Sequence, residues 1–290
     1  SLDNADEKVE LKIADSLWGN NLDFNNDFLN RCRQSFDAEV GKLDFGDPAS
    51  AGAVNDWVNR NTNGKIVQIV DRLNPGDLFI LLNAVYFNGK WQSAFDPKAT
   101  KDQGFDLQDG KTVQVPTMKQ QGDFSYLENE DFQAVQLPYG SGRLGMEILL
   151  PRPGKDVNSL IDSLDAGKWS DWMKGLEKKK VELSLPRFKV EYSKSLTGSL
   201  ISMGMGPAFQ GDSFAGMADV HPLSLDDVLQ KTYIDVNEEG TEAAAVTGAF
   251  LTTAYEPENA IEMNVDRPFL FAITDSSTRT ILFMGKISNP

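Results

Sequence analysis

Apolar residues recur at two different periods along this chain, and the changes of period mark out its elements. Phe28, Leu29, Cys32, Phe36 and Val40 share one side of a 3.6-residue repeat, which predicts an amphipathic helix over 26–40. Residues 50–70 predict a second helix and then an apolar end at Ile66, Ile69 and Val70, with Gly64 between them. Leu78–Phe87 is almost continuously apolar, the pattern of a strand covered on both faces. Residues 112–150 carry successive strand patterns, separated at Gly122-Asp123, at 128–131 and at 140–142. The helical period returns over Asp156–Gly175, which holds Trp169 and Trp172. Phe269–Ile273 and Ile281–Met284 predict a hairpin around 275–279. Helices and strands are mixed rather than alternating as βαβα, so an α+β fold is expected. No repeat, low-complexity tract or domain boundary interrupts the pattern, and 1–290 reads as a single domain.

One stretch does not fit an ordinary element. EEGTEAAAVTGAFLTTAY (238–255) has Glu238, Glu239 and Glu242 as its only charges, and from Ala243 to Tyr255 it has none. Exposed linkers are usually polar, with Gly, Pro, Ser and charge. Read at the strand period, Thr241, Ala243, Ala245, Thr247, Ala249, Leu251 and Thr253 form one face with nothing bulkier than leucine. Extended at roughly 3.3 Å per residue, the uncharged part spans about 45 Å, far beyond a common strand. Three readings stand. An Ala-rich helix is one, opposed by Val246, Thr247, Gly248, Thr252 and Thr253. A routine buried strand is another, opposed by the length. The third is a loop that moves between an exposed and a sheet-inserted state.

Composition narrows the classes of partner. The formal net charge is −15, which argues against a nucleic-acid or anionic-membrane partner, because both need clustered Lys and Arg. Lys178-Lys179-Lys180 is the only basic run and reads as a solvated strand start. No apolar stretch approaches the ~18–20 residues of a membrane span. Apolar residues make up 40% of the chain, enough for a substantial core. Cys32 is the single cysteine, so no internal disulfide forms; its helical spacing with Phe28, Leu29 and Phe36 suggests a small buried core residue. The compartment stays open, with an extracellular or periplasmic one favoured.

Enzyme chemistry finds little support. His221 is the only histidine, so a His-rich metal site is impossible, and beside Pro222 it reads as a turn residue rather than a triad base. No G-x-S-x-G elbow, P-loop or G-x-G-x-x-G appears. Met203-Gly204-Met205-Gly206-Pro207 lacks a following phosphate-binding lysine and is expected to be a turn. The chain is read as a non-enzyme without cofactor or metal.

The stretch EEGTEAAAVT closely resembles the proximal hinge of the inhibitory serpins, and other segments match that family in the expected order. NAVYFNGKWQSAF (83–95) resembles the strand leading to a tryptophan region at the top of the main sheet. VNDWVNRNTNGKI (54–66) resembles the helix that lies across that sheet. LPYGSGRLGMEILLP (137–151), VELSLPRFKVEYS (181–193) and the C-terminal DRPFLFAITDSSTRTILFMGKISNP (266–290) match further segments. The resemblance runs from about residue 9 onward. KVELKIADSLWGNN (8–21) resembles the region of an early strand of the main sheet, so the family's first strand and first helices are expected to be absent. The resemblance implies three β-sheets with surrounding helices and an exposed reactive-centre loop over about 238–264.

It also implies a mechanism: a suicide substrate for a serine protease, held as a metastable fold. The protease attacks the loop and forms an acyl-enzyme; the freed segment then enters the main sheet as a new strand and traps the enzyme. Under that scheme Glu238, Glu239, Gly240, Thr241, Glu242, Ala243, Ala244 and Ala245 form the loop hinge. Gly240 allows a pivot without a Cβ penalty, Thr241 enters first and faces inward, and the alanines offer little steric resistance. Trp91, Asn83 and Gln230 fall in the sheet-opening region, with the usual partners of Asn83 and Gln230 expected in the absent N-terminal helices. Family spacing counted forward from Glu238 puts the reactive bond at Ala254–Tyr255, whereas counting back from Arg267-Pro268-Phe269 lands nearer Pro257. The forward count is preferred, since proline before a cut suits few serine proteases. Ala254 implies an elastase-like target, and Tyr255, one residue on, a chymotrypsin-like one. No basic residue lies between Glu238 and Met263, which disfavours trypsin-like enzymes. A monomer is expected. The alternative within the family is a non-inhibitory carrier, storage protein or chaperone, or an inactive truncated form.

Overall fold

The computed structural model describes residues 6–241 and 260–290. Its elements in chain order are β1 (Val9–Asn20), α1 (Asn26–Phe36), β2 (Glu39–Leu43), α2 (Ala49–Asn61), β3 (Phe79–Lys90), β4 (Lys101–Asp106), β5 (Thr112–Glu128), β6 (Phe132–Pro138), β7 (Leu144–Pro151), α3 (Val157–Asp162), α4 (Ala166–Lys174), β8 (Glu177–Pro186), β9 (Phe188–Ser195), α5 (Thr197–Leu200), β10 (Asp227–Asn237), β11 (Gly240–Thr241), β12 (Ile261–Asn264), β13 (Phe269–Asp275) and β14 (Thr280–Ile287). The described residues divide into two units, one of 6–10, 88–189, 235–241 and 260–290, the other of 11–87 and 190–234.

In the unit of 11–87 and 190–234, strands are ordered β2-β1-β3-β10-β9. β3 and β10 pair directly and in parallel, from Ile80 opposite Asp227 to Tyr86 opposite Tyr233. One face of the sheet is covered by α2, whose Val54, Trp57 and Val58 are buried with Trp18, Leu82 and Tyr233. Trp18 and Trp57 meet edge to face at 6.3 Å. α2 ends where Asn63 and Gly64 take positive φ, 52° and 78°. The apolar end that follows is pinned by one side chain: Asn55 Oδ1 accepts from the amides of Ile69 (2.8 Å) and Val70 (3.1 Å), and its Nδ2 donates to Val70 O (2.8 Å).

Three local expectations change in this unit. The first helix stops at Phe36, not Val40, because Asp37 adopts a left-handed conformation (φ 50°) and Ala38 N bonds back to Cys32 O. Val40 joins β2 instead, opposite Leu17. Cys32 is half-buried rather than a core residue and Phe36 is exposed, since α1 has no fully buried position. The glycine-rich segment expected as a turn forms a π-helical turn, Ile201–Met205, and a 3₁₀ turn, Gly206–Phe209, with Gly204 at φ 99° between regular residues.

In the other unit the strand order is β12-β8-β5-β6-β7-β13-β14, with β4 also on β5. The expected break at Gly122-Asp123 is missing, because both residues pair within the ladder, opposite Val181 and Lys180 of β8. β5 therefore runs 17 residues, against β4 at its start, β6 at its end and β8 between. This continuity joins two of the three expected sheets into a single hydrogen-bonded ladder. The helical pattern at 156–175 is two helices, started by Asp156, which accepts from Asn158 N (3.2 Å), and by Asp165, which accepts from Lys168 N (2.8 Å). Both are N-caps of the usual acidic kind. Trp169 of α4 buries against Phe132, Leu149 and Leu270.

Candidate functional site

The chain leaves β10 at Asn237 and turns back at once. Gly240 and Thr241 form β11, antiparallel to both neighbours: Gly240 lies opposite Lys90 of β3 and Asn237 of β10, Thr241 opposite Gly89 and Val236. The approach is close. A Cβ on Gly240 would stand 2.0 Å from Gly89 O and 2.7 Å from Lys90 Cα, at a φ of 152°. Glycine is required here by backbone contact as well as by conformation.

Thr241 is 0% exposed, and its Oγ1 lies 2.6 Å from the hydroxyl of Tyr139. Tyr139 stacks on Trp91, with ring centroids 4.4 Å apart and planes at 12°. The Trp91 indole donates to Asn237 O (2.9 Å), and its amide donates to Glu239 O (2.9 Å). Trp91 thus braces the turn from which β11 starts. Burial pushes the Tyr139 phenol well above its usual pKa, so it keeps its proton.

Glu238 anchors the base of the turn. Its side chain is buried and accepts from Arg187 and from the hydroxyl of Thr100, while its carbonyl accepts from Phe95 N (2.8 Å). Burial alone would raise the carboxyl's pKa, but the hydrogen bonds from Arg187 and Thr100 outweigh it and hold the group below the ordinary value.

Asn83 and Gln230 occupy the directly paired stretch of β3 and β10. Gln230 Nε2 donates to Asn83 Oδ1 (3.1 Å), and Asn83 Nδ2 donates to Asp15 Oδ1 (2.8 Å) of β1. Among the described residues, Asn83 is thus bonded to a neighbouring strand as well as to Gln230. The structure brings Trp91, Glu238, Glu239, Gly240 and Thr241 together, and holds Asn83 with Gln230 and Asp15. Glu242, Ala243, Ala244, Ala245, Ala254 and Tyr255 lie outside the described residues.

Four contributors went unnoticed in the sequence: Tyr139, Arg187, Thr100 and Asp15. Arg187 is a lone cation between the strand patterns LSLP and FKV, and Asp15 lies between Ala14 and Ser16 at the centre of β1. For Arg187, an isolated charge in a strand-rich stretch was the signal available.

A family model described as Serpin (serine protease inhibitor) matches residues 1–290. The chain belongs to the serpin family. An uncharacterized serpin-like protein of Thermococcus kodakarensis is 40% identical over 286 residues, covering 97% of this chain and 66% of that protein. The native crystal structure of tengpin, a thermophilic serpin, superposes with a TM-score of 0.90 at 33% identity, covering 98% of this chain and 74% of tengpin. Human thyroxine-binding globulin in complex with thyroxine gives the same TM-score at 30% identity, over 100% of this chain and 77% of its own. The chain thus spans about two thirds to three quarters of these relatives. The serpin fold, α+β with mixed sheets, is theirs and this chain's.

Proposed function

We propose that this serpin inhibits serine proteases as a suicide substrate. The observation that carries the reading is β11: Gly240 and Thr241 already lie as a strand between β3 and β10, in the polarity a longer insertion needs. Further along the same strands, Ile80–Tyr86 and Asp227–Tyr233 pair directly, and a loop extending past Thr241 has to part them. Each ladder hydrogen bond gained is worth about 1 kcal/mol net. The uncharged residues from Ala243 onward suit burial in a sheet, because no ionised group has to be desolvated. A protease acylated at Ala254, or at Tyr255, would be carried along as the strand forms. Elastase-like or chymotrypsin-like enzymes fit those residues.

The test is incubation with elastase and with chymotrypsin, read by denaturing gel and N-terminal sequencing of the released fragment. A complex stable in SDS, a new N-terminus at or beside Tyr255, and a large rise in melting temperature after cleavage are expected. Cleavage without a complex and without stabilisation overturns the proposal.

A second reading, as a carrier of a small apolar molecule, has one observation in its favour. The unit containing α4 has a cleft of about 840 Å³, lined by Trp169, Met173, Leu176 and Met284, with Glu147 among its polar groups. Similarity to a thyroxine-binding protein agrees with it. Saturable quenching of Trp169 emission by thyroxine, lost in Trp169→Phe, is expected if the cleft carries ligand; unsaturable quenching removes this reading.

A further inference from the structure

Two side chains that touch Tyr139, Thr241 and Trp91, belong to β11 or brace the turn before it. Its hydroxyl meets Thr241 at 2.6 Å, with both residues 0% exposed. Its ring lies on Trp91, which is bonded to the carbonyls of Asn237 and Glu239 on the turn before β11. The backbone around it is equally constrained: Tyr139 N donates to Leu144 O (2.8 Å), and Gly140 N donates to Lys90 O (2.9 Å) on the strand that flanks β11. The phenol is thereby held by contacts of its own, independently of Thr241.

We infer that Tyr139 is a positioning residue that holds Thr241 in the sheet before any cut, setting the balance between a docked and a withdrawn hinge. The physical basis is the cost of parting two hydroxyls where water has no access. Hydrogen bonds between buried groups gain little over solvated ones when made, but are expensive to leave unmade. Gly240 has no side chain with which to add a hold of its own, so the side-chain part of docking rests on Thr241. The functional meaning rests on the inhibitory reading above, but the inference concerns the uncut chain and is tested without a protease.

Amide exchange in the peptide 236–241 of the uncut protein is the measurement. Tyr139→Phe and Thr241→Val are each expected to speed exchange there on the order of tenfold. Because both remove the same bond, the double variant should be no faster than the singles. Thr241→Ser, which keeps the hydroxyl, should behave as the parent does. Exchange in β7 (144–151) should stay unchanged in all four, which a general loosening of the unit would not allow. If Tyr139→Phe disturbs β7, the comparison of Thr241→Val with Thr241→Ser decides, since neither alters the Trp91 stack. Parental exchange in Thr241→Val, or equal exchange in the Val and Ser variants, overturns the inference. Failure of the parent to trap a protease, with the expected exchange shifts in these variants, would defeat the inhibitory reading alone.

Discussion

Arg187 donates twice to one oxygen of Glu238, from Nη2 at 2.6 Å and from Nε at 2.9 Å, and Thr100 donates to that same oxygen. The anionic partner is buried, with its side chain 6% exposed, while the cation is 45% exposed. The pair therefore fixes the turn that precedes β11.

Arg187→Ala leaves Glu238 buried with Thr100 as its side-chain donor. A loss of about 1–2 kcal/mol is expected at neutral pH, discounted for the half-solvated guanidinium. The folded pKa of Glu238 is depressed, so its contribution is present above the ordinary carboxylate range and lost as pH falls through the folded value. Denaturant midpoints of parent and variant should differ at neutral pH and converge in acid. A gap that persists or widens in acid contradicts the assignment.

Gly240→Ala puts a methyl group onto Gly89 O. The expected result is withdrawal of β11 rather than unfolding, at a cost of no more than about 3 kcal/mol. Exchange at the Thr241 amide should rise sharply while far-UV circular dichroism is unchanged. A variant whose Thr241 amide stays protected shows that the slot is wider than described.

Thr241→Arg places a charge at a position with no solvent exposure, at a cost of several kcal/mol if it enters the sheet. Under the inhibitory reading the loop is still cut, but the protease escapes. SDS-stable complexes at the parental stoichiometry would be incompatible with insertion past this residue.

Glu147 is 1% exposed on β7, with Gln136 Nε2 (2.9 Å) and Thr274 Oγ1 (2.8 Å) donating to one carboxyl oxygen, while Oε2 has no hydrogen-bond partner among the described residues. Burial raises its pKa from 4.5 to about 7 against the lowering effect of those two bonds. The folded state binds the proton more tightly, so stability is highest in acid and declines as pH rises from near 4.5 through 7. Glu147→Gln should remove that slope and gain on the order of 3 kcal/mol at pH 8 and above. Urea midpoints against pH for both proteins provide the check; parallel curves reject it.

Asp15 accepts the Asn83 amide between adjacent strands. Asp15→Asn keeps an acceptor and should change stability little, whereas Asp15→Ala should cost about 1 kcal/mol. Equal effects from the two substitutions would mean that the bond is not what holds Asn83.

Much of this architecture was legible in order. The apolar run at β3 and the hairpin of β13 and β14 each follow a single period, and local pattern is enough to read them. What escaped notice depends on distant chain segments. Asp37 ends α1 by a left-handed turn that no periodicity marks, and Gly122 looks like a break until Val181, far along the chain, pairs with it. Tyr139 and Thr241 are 102 residues apart, and nothing near either indicates the other. Glu147 sits inside the run Gly145-Met146-Glu147-Ile148-Leu149-Leu150, where strand propensity conceals a buried acid.

The direction of β11 has an energetic corollary. β3 and β10 run the same way, and evenly spaced slanted hydrogen bonds between such strands are slightly weaker per residue than the perpendicular bonds of opposed ones. A chain entering with the polarity of Gly240–Thr241 exchanges each like-directed contact for two opposed contacts. Under the inhibitory reading, part of the energy released by insertion would come from strand orientation itself, from seven residue pairs bonded in the less favourable sense.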